Sequence, residues 1–342
     1  MREAVIVIAD LYLQPGEEPH APGVGSAALA GLEHLGRFGE RTRLVRGWRA
    51  WLAGWLGRAE LADLAVAQVA AAGGTSGTAG ALPTRWIATP VQLLAGLTRL
   101  HLPRDGIVRL TPPEQAALVS AFGRVFAGAD LKLEALSDGQ LLLTTPGIAP
   151  LATAEPARSA GGEVRVPQGL AAAPLLHLTA EIEMWLHGEP LNELRRRRGA
   201  AAVSGLWLWG ADGGTVLPPR AHTAPGSSIA FGEDAWLSGL WQLLGGAARP
   251  LPERPEALFT VNAERCVAVV ELSGARPDAP WSSLHEAAAA LDERLIVPAL
   301  TALKSGTLER LTLIANDTRV SVGRLSALKR WRARRPGLEA FA

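Results

Sequence analysis

The chain has 342 residues, enough for one large α/β domain with an insertion or for two domains of ordinary size. Its 34 lysines and arginines nearly balance 33 aspartates and glutamates, so no global field marks a binder of nucleic acid or of an anionic membrane. A single cysteine excludes an internal disulfide framework, and no run approaches the roughly twenty apolar residues that a spanning helix needs.

In chain order, Ala4 to Ala9 is a short hydrophobic strand that ends at Asp10. This apolar run is too short for a secretory signal, so a soluble, cytoplasmic protein is expected, with no membrane attachment. A loop through Gln14-Pro15-Gly16 leads to a helix from about Ala27 to Leu35, an α/β opening. Leu44 to Leu56 and Leu61 to Ala71 have helical period. Leu44, Trp48, Trp51, Leu52 and Trp55 share one face, expected to pack on a sheet. Gly73 to Gly80 offers nothing apolar to bury and reads as loop.

Thr111-Pro112-Pro113-Glu114 is a helix start, with Thr111 as cap and Glu114 closing a capping box, and its helix runs to about Phe126. Leu131 to Ala135 and Gln140 to Thr145 alternate around Ser137-Asp138-Gly139, the signature of a hairpin. With a strand near Ile107 to Leu110 they outline a small α+β insertion over 83–150, followed by a Gly, Pro and Ala-rich linker over 151–174. The main domain is expected to comprise 1–82 and 175–342.

Leu186 to Gly214 is the most informative stretch. Pro190 suits a first helical position, the cations Arg195 to Arg198 suit a helix C-terminus, and Gly199 suits a left-handed stop. Val203 to Trp209 is a buried strand, with Leu206 and Leu208 on one side and Trp207 and Trp209 on the other. Gly210, Gly213 and Gly214 follow, either as a tight turn or as a nest of amides that cradles an anion. Their spacing matches no dinucleotide or P-loop fingerprint.

Further on, Ala235 to Leu244 is a helix and Cys266 to Leu272 a buried strand whose thiol reads as inert core. Ser282 to Lys304 is a long helix interrupted near Pro298, and Leu308 to Ile314 with Arg319 to Val322 is a hairpin. Strands and helices alternate, so the expected fold is α/β, a mainly parallel open sheet with helices on both faces plus the small α+β insertion.

The pattern of His187, Pro190, Asn192, Arg195, Gly199, Leu206, Trp207, Leu208, Trp209 and Gly210 resembles a segment of the archaeal-type cofactor-independent phosphoglycerate mutases. It is still more similar to their bacterial relatives, the RpfE-type regulatory proteins. The first strand with Asp10, the segment Trp86 to Leu93 and the Trp281 to Trp331 region look like the same plan. The resemblance implies an alkaline-phosphatase-like fold, a superfamily that holds two metal ions with Asp and His ligands and transfers phosphate through a Ser or Thr nucleophile.

This chain departs from that machinery. Thr89-Pro90-Val91-Gln92 stands where relatives tend to show Asp-Pro-Val-His, and the seven histidines lack ligand spacing. Asp10 alone stands where the superfamily keeps a metal-binding aspartate, or it simply caps its strand.

The favoured reading is therefore a non-catalytic regulatory protein on a degenerate phosphoglycerate-mutase-like scaffold. A cleft around His187, Asn192, Arg195, Gly210, Gly213 and Gly214 would bind a protein partner or a small anionic ligand, with no cofactor expected. His187, Asn192 and Arg195 could equally be fixing the turn before the central strand. The alternative is a metal-dependent phosphoglycerate mutase or phosphatase, in which Asp10 and His222 or other histidines hold a divalent metal and Arg195 neutralises substrate. A weaker third reading is nucleic-acid binding through Arg195 to Arg198 and the basic stretch Lys329 to Arg335.

Overall fold

The computed structural model describes residues 2–13, 29–72, 83–96, 99–212, 227–272, 284–326 and 341. Gly213, Gly214, His222, the glycine-rich loop and the basic stretch Lys329 to Arg335 lie outside the described residues. No helix among the described residues is long and apolar enough to cross a membrane.

The chain is mixed α/β and forms two compact units. Met1–Asp63, Ala221–Glu233 and Leu244–Ala342 make the first, and Leu64–Arg220 with Asp234–Leu243 make the second. The central strand and the helices before it fall with the 83–150 region rather than with the N-terminal strand, because that strand's hydrogen-bonding partner lies more than a hundred residues upstream.

Unit 1 is built on a six-stranded sheet. Strand β1 (Glu3–Ile8) lies between β11 (Arg265–Val270) and β12 (Arg310–Ala315), parallel to both, with Ile6 opposite Ala268 and Leu313. These runs are almost continuously apolar, as central parallel strands must be. β10 (Ser228–Phe231) extends the parallel part, while β13 (Thr318–Gly323) and then β2 (Glu40–Arg43) close the other side antiparallel. The short β2, polar throughout, suits an edge.

Helices α1 (Ala30–Phe38), α9 (Leu284–Leu291) and α10 (Val297–Ser305) bury Leu32, Leu35, Ala288 and Leu300 against Ile6, Ala268 and Leu313, and the short α8 (Ala257–Thr260) adds Leu258 and Phe259. Cys266 lies in this core, and burial pushes its thiol up to about 12, which keeps it protonated and inert. The tryptophan face of α2 (Gly47–Trp55) does pack within the unit. Trp48 and Leu52 are buried, Trp51 stacks on Trp55, and Arg319 and Arg265 lie over those two rings.

The expected interruption of the last long helix takes the form of a π-helical turn, Asp292–Ile296, with Pro298 in the first turn of α10 behind it. Asp292 there is buried, and its carboxylate accepts from the main-chain N–H groups of Gly31 (2.8 Å) and Leu32 (2.7 Å). α1 begins after Leu29, which has no capping side chain, so an aspartate distant in sequence satisfies donors that the local chain leaves open.

Unit 2 carries an antiparallel sheet in the order β6-β7-β3-β9. β3 (Thr84–Val91) pairs with β7 (Leu141–Thr145) on one side and with β9 (Gly205–Asp212) on the other. β6 (Lys132–Ala135) completes the expected hairpin through a 3-10 turn at Ser137–Gly139. The segment near Ile107 makes only a single bridge to Val91 instead of the expected strand. A small second sheet joins β4 (Leu94–Ala95), β5 (Leu100–Leu102) and β8 (Gly162–Glu163), so the expected linker is partly structured.

One face of the larger sheet packs Leu141, Leu143, Leu206 and Leu208 against α4 (Pro112–Val125), α5 (Ala173–His187) and α6 (Pro190–Arg197). The other face presents Ile87, Leu142 and Trp209 to α3 (Val66–Ala71) and α7 (Ala235–Leu243). The two-sided alternation read from Leu206 to Trp209 is thus the alternation of a strand buried on both faces.

Candidate functional site

The candidate residues of the central block are held by their own neighbourhood. α6 starts at Pro190 and stops where Gly199 turns left-handed at φ 71°, as its sequence dictates. Asn192 on its buried face donates through Nδ2 to the carbonyls of Leu186 (2.7 Å) and Val203 (2.9 Å), and its Oδ1 accepts from the Val203 N–H (2.7 Å). These bonds clamp the end of α5 to the residues entering β9. Asn192 is 3% exposed and has little capacity left for a ligand.

Arg195, one turn on, is similarly spent. Its Nε donates to the Ala201 carbonyl (2.6 Å), and Nη1 meets the Glu114 carboxylate (2.8 Å) and, more distantly, the Arg109 carbonyl (3.5 Å). Glu114 is also the capping-box residue of α4, where Oε2 accepts from the Thr111 N–H (2.9 Å). Burial pushes the Glu114 carboxyl up, but the Thr111 N–H and the Arg195 guanidinium outweigh that and hold it below its ordinary value. The capping box was legible in sequence; its second duty as counter-ion to Arg195 was not.

Gly210 sits at a bulge in β9. Arg85 faces Asp212 while Ile87 faces Trp209, so β9 spends an extra residue there, and Gly210 adopts φ 64°. A Cβ at this point would lie 2.9 Å from that of Val66. Val203, the residue that Asn192 holds, precedes Gly210 by a strand length of roughly 20 Å. His187 is exposed at the last position of α5. His187, Asn192, Arg195 and Gly210 therefore do not converge on one cleft, and Gly213 and Gly214 lie outside the described residues.

Asp10 follows β1 in unit 1 and caps the neighbouring strand, its Oδ1 accepting from the Leu272 N–H at 2.7 Å. The hydroxyl of Thr89, one of the departures from the mutase pattern, accepts from Trp209 Nε1 (2.9 Å) and donates to Gln140 (3.0 Å). Among the described residues no group of three or more His, Cys, Asp or Glu side chains is placed to hold a metal ion.

What unit 2 does present is a cavity of about 500 Å³, lined mainly by apolar side chains. Its size and lining are those of a small-molecule site. One wall is α5. Leu178, Ile182 and Leu186 turn into the core, Leu175 borders both core and cavity, and Leu176, Thr179, Ala180 and Glu183 line the cavity. A second wall is Gly205 to Leu208 of β9, with Ala152 to Ala154 and Val164 to Pro167 completing the lining. The loop segment is tied to the strand twice: Trp207 Nε1 donates to the Ala154 carbonyl and the Thr153 hydroxyl to that of Leu208, both at 2.8 Å.

Glu183 brings a carboxylate to this apolar wall, and partial burial raises its pKa above the ordinary value. Sequence reasoning missed α5, and it could place Glu183 only as one of the glutamates that neutralise the Arg195 to Arg198 run. The signal was available in Leu175, Leu178, Ile182 and Leu186 at helical spacing, with a glutamate interrupting the otherwise apolar second face.

No family model matches this chain, and no curated protein matches it. Among solved structures, the PH0037 protein from Pyrococcus horikoshii aligns over 99% of this chain and 91% of its own at 13% identity, with a TM-score of 0.50. This is a likeness of fold. The cofactor-independent phosphoglycerate mutase from Thermoplasma acidophilum DSM 1728 aligns over 94% of this chain and 89% of its own, at 13% identity and a TM-score of 0.38.

Proposed function

We propose that the chain is a non-catalytic, ligand-binding regulatory protein on a phosphoglycerate-mutase-like scaffold, and that it binds through the cavity of unit 2. The observation that carries this reading is how the polar residues of the central block are used. Asn192 and Arg195 are satisfied by main-chain carbonyls, the Val203 N–H and Glu114, whereas the cavity on the other side of α5 is lined and open. Side chains that lock the fold are poor candidates for transition-state contacts, which need groups aimed at the reacting atoms.

Purified protein supplied with manganese or magnesium tests the reading in a phosphoglycerate mutase assay with parallel metal analysis. No turnover above background is expected, and Asp10→Asn, which keeps an acceptor for the Leu272 N–H, should leave that result unchanged. Stoichiometric metal together with turnover that Asp10→Asn abolishes would replace this reading with the enzymatic one.

A further inference from the structure

We propose that the unit 2 cavity takes a compact apolar cation, a protonated amine on a hydrocarbon or aromatic body, with the Glu183 carboxylate as its counter-charge. This rests on the binding role proposed above and specifies its ligand. Three neighbouring glutamates are occupied: Glu114 pairs with Arg195, Glu193 with Arg196 and Arg197, and Glu181 lies beside His177. Among the described residues, no cation pairs with Glu183 and no donor bonds to it; it is solvent-exposed, lies beside Gly205 and lines the cavity with Leu176, Ala180 and Leu206 to Leu208. A carboxylate kept against an apolar wall is stabilised most by a partner that brings both a positive charge and a hydrogen bond.

The strand beside it supplies a second acceptor. Among the described residues β9 is the edge of its sheet, and Leu206 stands opposite Pro90, which has no N–H. The Pro90 carbonyl accepts from Val108 N–H (2.8 Å) on the side away from β9, whereas the next carbonyl, of Val91, turns toward β9 and accepts from Ser204 N–H (2.8 Å). Strand alternation therefore turns the main-chain groups of Leu206 outward to the open edge, in the direction taken by the Leu208 carbonyl that accepts from Thr153. An ammonium group has three donors, so a carboxylate on the α5 wall and a main-chain carbonyl on the β9 wall suit it. Arg165 also lines the cavity, on an exposed segment, and it defines the competing class, an apolar anion.

The full chain is titrated calorimetrically at neutral pH with hexylammonium, hexanol and hexanoate, which share one hydrocarbon body. Hexylammonium should bind at one site and about tenfold tighter than hexanol, the worth of one charge-assisted hydrogen bond. Glu183→Gln should bring the amine to the level of the alcohol while leaving the alcohol unchanged. Ala180→Leu, which fills the cavity and keeps the glutamate in the chain, should weaken all three. Lowering the pH should release the amine as Glu183 protonates, beginning above the range of an ordinary glutamate. Tighter binding of hexanoate, lost in Arg165→Ala, would overturn the ligand class and leave the cavity as the binding site. An amine-to-alcohol ratio unchanged by Glu183→Gln would also overturn it. Binding of none of the three by folded protein would overturn both the ligand class and the binding role of the cavity.

Discussion

Asp292 in unit 1 and Glu183 in unit 2 each lie beside apolar side chains, and the two are employed differently. In unit 1, Asp292 is 1% exposed, and burial raises its pKa to about 6 although two main-chain N–H groups work in the opposite direction. In unit 2, Glu183 is solvent-exposed, partial desolvation still raises its pKa, and no protein group among the described residues pairs with it. Asp292 closes the N-terminus of α1, so its charge is spent on the fold. Glu183 stands beside a cavity, so its charge is available to something else. Burial alone does not mark a functional carboxylate; a partly desolvated carboxylate without a protein partner, beside a cavity, does.

Substitutions separate fastening residues from binding ones. The largest loss should come from Arg195→Ala, which leaves Glu114 buried without its cation and should cost about 3–5 kcal/mol by denaturant unfolding. Next comes Asp292→Ala, which orphans the N–H groups of Gly31 and Leu32 and should cost about 2–3 kcal/mol. Gly210→Ala, at φ 64° and with its new methyl 2.9 Å from Val66, should cost about 1–2 kcal/mol. Glu183→Gln should be smallest, within about 0.5 kcal/mol of the parent in the absence of ligand, because it breaks no bond in the protein. A loss at Glu183 as large as that at Arg195 would erase the distinction between the two.

Asp292 also gives the comparison a pH signature. Its folded pKa of about 6 lies above its ordinary 3.8. The native state therefore holds this proton more tightly than the unfolded chain, and the resulting contribution is fully present below about pH 3.8. It is lost as pH rises through about 6, a change on the order of 2–3 kcal/mol. Unfolding free energies measured across this window in the parent and in Asp292→Asn should differ in slope, with the variant flatter. Parallel slopes would show that Asp292 titrates alike in both states.

Much of this was legible wherever the cause is local. The Thr111–Glu114 capping box, the hairpin around Ser137 to Gly139, the stop at Gly199 and the two-faced alternation of Leu206 to Trp209 each depend on residues a few positions apart, and each stands in the structure. What local pattern cannot carry is partnership. β9 reads as a strand, but nothing in its composition says that it pairs antiparallel with Thr84–Val91, and the division into units turned on that pairing. For the same reason Asn192 and Arg195 could stand for a pocket or for a clamp until Val203 and Glu114 were seen against them. β2 escaped notice because Glu-Arg-Thr-Arg has no apolar side to read.

The most direct measurement is the rise in unfolding midpoint produced by saturating hexylammonium in three proteins: the parent, Arg195→Lys and Glu183→Gln. The expectation is that Arg195→Lys melts earlier but gains as much from the amine as the parent, while Glu183→Gln melts like the parent and gains no more than it does from hexanol. The opposite pattern, with the gain kept in Glu183→Gln and lost in Arg195→Lys, would contradict the assignment of Arg195 to the fold and of Glu183 to the ligand.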